Sequence, residues 1–116
     1  MAYRIEYLDG LKSTMLLMNG LVGDFTFAAS LKDQAEPLST LFYLPPNPNV
    51  SYSAALMSNA EEMFITGKAP YPVERTLLTS GILAACLGSL GNGQKRIETP
   101  HLKVSYQPGK STFWRE

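Results

Sequence analysis

The sequence predicts an α+β fold, with a mostly antiparallel sheet of about six strands and two helices packed on one face. Three observations predict it. Residues 3–7 alternate between apolar and polar and run into Asp9-Gly10, a strong hairpin signal. Two stretches in the middle of the chain have apolar residues at helical spacing. Short alternating segments follow the second of these stretches, and they predict further strands near the end of the chain.

The composition bounds the kind of protein. With 116 residues the chain is long enough for one domain, which we place at 1–106, followed by a flexible tail at 107–116. Ten basic and ten acidic residues give no electrostatic reason to expect nucleic acid. No apolar run approaches the roughly 20 residues of a membrane span, and no signal peptide is visible. We therefore expect a cytoplasmic protein, with the single cysteine, Cys86, buried in a helix.

The first part of the chain predicts four strands. Residues 3–7 and 11–19 form a hairpin, and residues 25–31 and 38–44 follow, separated by a polar turn. Short connections make neighbouring strands antiparallel. The sheet face opposite the helices, which carries Thr26, Ala28 and Ser30 or else their alternates, is low in charge, so it is either a surface for a partner or an ordinary solvated face.

Prolines 45, 46 and 48 end the fourth strand and predict an extended crossing to the first helix, from about Ser51 to Thr66. Gly67 closes that helix. Its predicted core stripe is Leu56, Ala60, Met63 and Phe64.

The second helix runs from Pro72 to about Leu90 and stops at Gly91-Asn92-Gly93. Small residues line one of its faces at i, i+3, i+4 and i+7, namely Gly81, Ala84, Ala85 and Gly88. Such a seam predicts the close approach of a helix or sheet, and a ligand groove along it is the alternative.

The last segments predict a fifth strand at 94–98 and a sixth through Leu102, Val104 and Tyr106. The tail carries Trp114, which docks either on the core or on a partner.

The sequence contains no complete active site. The glycines at 91 and 93 follow a helix, so they are a cap and not a dinucleotide fingerprint. His101 is the one histidine, which leaves metal ligation poorly supported. The only cluster of candidate ligand contacts is Tyr71, Glu74, Arg75 and His101. Arg75 binds either a substrate carboxylate or phosphate or a nearby acid, and His101 is either a surface residue or a catalyst.

Several motifs resemble the C-terminal domain of the glucose–fructose oxidoreductase / inositol dehydrogenase (Gfo/Idh/MocA-like) family. They are a strand into Asp9-Gly10, a helix ending in the phrase 64–70 (FITGKAP), and a helix ending in small residues before Ile97-Glu98. The resemblance covers most of residues 3–104. More narrowly, the phrases EYLDGLK, FTFAASLK, YPVERTLL and RIETPHL are similar to uncharacterised bacterial proteins with a nucleotide-binding-like N-terminal half.

The resemblance implies two-domain enzymes whose N-terminal domain holds NAD(P) and whose C-terminal domain supplies a substrate pocket and an open sheet for oligomerisation. This chain has neither the glycine fingerprint nor the family's E-K-P motif. The resemblance therefore implies a rear portion that is inactive alone and binds no cofactor by itself. Its expected partner is a missing dinucleotide-binding domain or further copies joined through the sheet. A stand-alone homodimerising interaction module is the alternative, and a small enzyme that uses the cluster around Arg75 is the third interpretation.

Overall fold

The computed structural model describes residues 1–42 and 51–108, with side chains of the first helix described from Ser53 onward. The described elements are β1 Ala2–Glu6, β2 Lys12–Leu16, β3 Phe25–Ala29, β4 Leu38–Phe42, α1 Ser51–Thr66, α2 Val73–Gly91 and a short 3-10 helix, Pro100–Leu102. The α+β class is confirmed. The predicted proline crossing at 45–48, the end of the fourth strand at 43–44 and the docking of Trp114 lie outside the described residues.

The prediction of a single sheet of about six strands is wrong. The four described strands form two separate two-stranded sheets, one of β1 with β2 and one of β3 with β4. Both pairs are antiparallel, as the short connections predict. The described strands do not form one sheet, so the prediction that two helices pack on one face of such a sheet is wrong as well.

The first hairpin follows from its turn. Gly10 adopts a φ of 90°, which a side chain would disfavour, and its N–H donates to the carbonyl oxygen of Tyr7 at 3.0 Å. The carboxylate of Asp9 accepts a hydrogen bond from the Leu11 N–H at 3.0 Å. The turn places Glu6 opposite Lys12 and Ala2 opposite Leu16.

The second hairpin presents a strongly apolar face. Phe25 lies opposite Phe42, Phe27 opposite Thr40, and Ala29 opposite Leu38. No described helix packs extensively on this hairpin, so all three aromatic rings are exposed. A lone two-stranded hairpin is at best marginally stable in water. The β3–β4 pair therefore needs a cover that the described residues do not provide.

The predicted fifth and sixth strands do not form. Residues 94–98 have no regular structure, and Pro100–Leu102 is a 3-10 helix in which the Leu102 N–H donates to the Thr99 carbonyl at 2.9 Å. Pro100 has no N–H to give to a ladder and its fixed φ suits the first position of a helical turn. The alternation of Leu102, Val104 and Tyr106 thus does not report a strand here.

The helix α1 has the predicted bounds, and the Gly67 N–H closes it by donating to the Met63 carbonyl at 2.9 Å, with Gly67 at φ 65°. Its predicted core stripe is not buried: Leu56, Met63 and Phe64 are all exposed. Among the described elements, none packs extensively on α1. The helical period correctly predicts the helix, but no element within the described residues covers this stripe.

The helix α2 ends in a Schellman motif. The Gln94 N–H donates to the Ser89 carbonyl at 2.7 Å and the Gly93 N–H to the Leu90 carbonyl at 3.3 Å, with Gly93 at φ 74°. The predicted stop at residues 91–93 is therefore confirmed. The cap turns the chain back along α2, so that the following residues run beside the helix.

The described core is small. Among the described apolar residues only Cys86 and Leu102 are buried, at 8% and 7% exposure, which confirms the prediction for Cys86. The accessible surface is 10389 Å², whereas a compact monomer of 12.8 kDa exposes about 6,300 Å². The radius of gyration is 16.9 Å, against about 13 Å for a compact chain of this length. The chain thus leaves much of its apolar surface uncovered.

Candidate functional site

A groove lies between β1 and α2. It encloses about 1090 Å³ and is bounded by three parts of the chain: residues 1–8, the inward side of α2, and residues 94–103. We call this feature the β1 groove. This volume lies slightly above the usual range of ligand pockets, about 300–1,000 Å³.

The floor of the β1 groove is apolar. The helix contributes Leu78, Ile82 and Ala85, and β1 contributes the half-buried side chains of Tyr3 and Ile5. Alternate residues of β1 and β2 are half-buried and the others are exposed, so the hairpin turns one face toward α2. All of residues 1–8 border the groove, and the sheet period that the sequence shows places Tyr3 and Ile5 on the half-buried face.

Residues 94–99 form the wall of the groove opposite β1. Specific contacts hold this wall on α2. The Ser89 hydroxyl donates to the Lys95 carbonyl at 2.7 Å. A Cβ atom added to Gly88 would lie 3.2 Å from Cδ1 of Ile97, so the absent side chain at Gly88 admits Ile97. Ile97 of this segment and Leu102 of the 3-10 helix pack against the predicted small-residue seam, where we expected a helix or a sheet.

One guanidinium bridges the two walls. Arg96 Nη1 lies 2.9 Å from Glu6 Oε2 on β1, and Arg96 Nε lies 2.7 Å from Glu98 Oε1 on its own segment. The hydrogen bond and the charge of Glu98, followed by those of Glu6, raise the pKa of Arg96 above its ordinary value. The guanidinium is exposed, so the pairs orient the wall and add little stability.

The remaining charges of the groove are positive. Arg4, Lys95 and Lys103 line it and make no ion pair within residues 1–42 and 51–108, whereas both lining carboxylates, Glu6 and Glu98, are occupied by Arg96. The described walls therefore carry an excess of two positive charges at neutral pH. An occupant with negative charges near these walls is favoured.

The structure brings together two of the four residues predicted as ligand contacts. The guanidinium of Arg75 lies over the ring of Tyr71, 4.6 Å from its centroid, which is a cation–π contact. Glu74 is half-buried in the first turn of α2, and His101 is exposed in the 3-10 helix. No hydrogen bond or ion pair within the described ranges joins these two to the pair, and none of the four lines the β1 groove.

Sequence reasoning missed the groove residues. Its only available signals were the alternation of β1, which indicates which side chains turn inward, and the spacing of Arg96 and Glu98. Neither signal shows that Arg96 reaches Glu6, 90 positions away along the chain. Such a contact depends on how α2 and its cap place the following segment beside β1.

Two further features bear on chemistry. Residues 1–42 and 51–108 contain no group of three or more His, Cys, Asp or Glu side chains placed to hold a metal ion. The helix α2 is long and apolar enough to cross a membrane by length and composition, and core helices of water-soluble proteins pass the same test. Leu102 and Ile97 pack on it in this structure.

Comparison of the chain with protein-family models, with curated proteins and with solved structures finds no match. The case for function therefore rests on the chain's own residues and on the motifs at 3–10, 64–70 and 89–98.

Proposed function

We propose that this chain is an assembly domain: the substrate-side and oligomerisation part of an oxidoreductase-like protein, inactive by itself. One observation carries the assembly role. A hairpin and a helix of this chain, β3–β4 and α1, expose apolar faces that no described element covers. Burying such faces is the main source of stability in domains and in obligate interfaces.

The amount of uncovered surface supports the same role. The chain exposes about 4,000 Å² more than a compact monomer of its mass. Obligate interfaces bury about 2,000–5,000 Å² in total. Each partner contributes half of that total, about 1,000–2,500 Å², so the excess on this single chain is larger than its share of one such interface and leaves ample surface for a permanent partner to cover.

The oxidoreductase part of the proposal rests on the resemblance. The motifs named above support it, while the single sheet that the family implies is absent from the described residues. The chain's own residues do not fit NAD(P), because no described strand passes through a glycine-rich loop into a helix N-terminus. The cofactor would belong to a separate dinucleotide-binding domain. Cytoplasm remains the proposed compartment.

Co-expression tests this proposal. The 116-residue chain would be expressed with the dinucleotide-binding domain encoded next to it, and the two would be separated by size exclusion with light scattering. Co-elution in a fixed ratio supports the oxidoreductase-like assembly. Separate elution of the two chains, or the lack of any such coding region, contradicts it.

A stand-alone homodimerising module is the second candidate, and the β3–β4 hairpin favours it. Its apolar face carries the cross-strand pair Phe25 and Phe42 at one end and Phe27 beside them, so two copies of the face could cover each other. A stable dimer of the chain alone in light scattering would support this candidate. A monomer at all concentrations would contradict it.

A further inference from the structure

In the part of the chain that the structure describes, β1 pairs with β2 on one side and no strand pairs with its outer edge. The Tyr7 N–H donates to the Leu11 carbonyl at 2.8 Å, and the Leu17 N–H donates to the Met1 carbonyl at 2.8 Å. Because hydrogen-bonded pairs alternate along an antiparallel ladder, the odd residues of β1 direct their backbone groups toward β2. The N–H and C=O groups of Ala2, Arg4 and Glu6 therefore point away from β2, into the β1 groove.

The groove beside this edge suits one extended segment. No backbone hydrogen bond joins β1 to residues 94–99 within the described chain, and Arg96 and Glu6 span the gap between them with two long side chains. A strand added to this edge would lie at about 4.8 Å from β1, between β1 and residues 94–99. An added strand would also place alternate side chains on the apolar floor of Leu78 and Ile82.

The charges indicate which segment fits. Arg4 stands on the outer face of β1, opposite to Tyr3 and Ile5, and makes no ion pair in the described ranges. Lys95 and Lys103 on the opposite wall add positive charge. Acidic residues at the outward positions of an incoming strand would pair across strands with Arg4.

We propose that the β1 edge binds an extended segment of a partner polypeptide by strand addition, with apolar residues at every second position and acidic residues between them. This proposal rests on the assembly role and names the partner segment at one site. A second copy of β1 is disfavoured there. The antiparallel register that pairs the whole strand would place Arg4 opposite the Arg4 of the other copy, and like charges directly opposite are destabilising.

Amide exchange and binding of a defined peptide test the proposal on the full 116-residue chain. The probe is the peptide acetyl-EVEIEVE-amide, and its controls are acetyl-KVKIKVK-amide and the rearranged acetyl-EEVVIEE-amide. The acidic peptide is expected to slow the exchange of the Ala2, Arg4 and Glu6 amides, while the Tyr3 and Ile5 amides are protected with or without it. Both control peptides are expected to bind at least tenfold more weakly.

Two variants separate the backbone contribution from the charge. Arg4→Pro removes one outward N–H and no bond to β2, so we expect it to weaken binding of the acidic peptide tenfold or more. Arg4→Ala keeps the N–H and loses the charge, and a two- to fivefold loss is expected. Circular dichroism and the protection of the Tyr3 amide report whether each variant keeps the hairpin.

The outcomes are distinct. Equal binding of the three peptides, or wild-type affinity in both Arg4 variants, overturns strand addition. Protection of the outward amides without peptide overturns it too, indicating a segment of the same chain if it is independent of concentration and a second copy if it rises with concentration. Co-elution with a dinucleotide-binding domain can still succeed in those cases, so the proposed function would survive the loss of this site.

Discussion

Leu102 lies directly against Gly81: a methyl group placed on Gly81 would overlap Cδ2 of Leu102 and lie 2.8 Å from its Cδ1. This contact holds the 3-10 helix on α2 and buries Leu102 more fully than any other described apolar residue. The missing side chain at Gly81 thus explains a glycine in the middle of a helix, where it costs about 1 kcal/mol relative to alanine.

The first prediction concerns this contact. Gly81→Leu forces Leu102 out of place, and we expect it to lower the free energy of unfolding by about 1–3 kcal/mol, as overpacking does. Urea unfolding at one fixed protein concentration measures the change. Gly91→Leu is the matched control, because a side chain at Gly91 meets no atom within 4 Å. Equal effects of the two substitutions would show that Leu102 does not pack there.

A second prediction concerns the wall of the groove. Ser89→Ala removes the hydrogen bond to the Lys95 carbonyl and should cost about 0.5–1.5 kcal/mol of local stability. We expect faster amide exchange in residues 94–97 with little change elsewhere. Ser80→Ala, at an exposed position of the same helix, should leave that exchange unchanged. No acceleration in the Ser89 variant would mean that the wall is held by other contacts.

The apolar face of the second hairpin gives a third prediction. Phe27→Glu places a charge on that face, and we expect loss of association with a partner or a second copy, because an unpaired buried charge is strongly unfavourable at an interface. Thr26→Glu changes the opposite face of the same strand and should retain association. Light scattering compares the two variants. Retention in both would show that this face is not part of the assembly.

A fourth prediction concerns α2 and membranes. Since Leu102 and Ile97 cover part of the helix and the walls beside it are charged, we expect the chain in the supernatant after lysed cells are centrifuged at high speed. Recovery in the membrane pellet that resists alkaline carbonate would contradict the proposed compartment and would indicate that α2 spans the bilayer.

The local structure follows from local signals in the sequence. The Asp9-Gly10 hairpin, both helices with their glycine stops, the burial of Cys86 and the close approach at Gly81 all follow from turn chemistry and periodicity, which act over a few residues. The assembly of these elements was not predictable in the same way. Period-two alternation at Leu102 and Val104 does not show whether a neighbouring strand exists, and Pro100 starts a 3-10 helix instead.

The candidate site shows the same limit. The pairing of Tyr71 with Arg75 lies within reach of local reasoning, since the residues are four apart. The contact of Arg96 with Glu6 depends on long-range placement, and no spacing rule indicates it. The apolar stripe on α1 predicts that this face is covered, but the spacing of its residues does not indicate which surface covers it.

Urea unfolding of the 116-residue chain across a hundredfold range of protein concentration tests the central claim most directly. If the chain reaches a stable fold only in an assembly, the midpoint rises with concentration or with added partner, because association stabilises the folded state by mass action. A single cooperative transition of a monomer, with a midpoint independent of concentration and of any partner, would contradict the account.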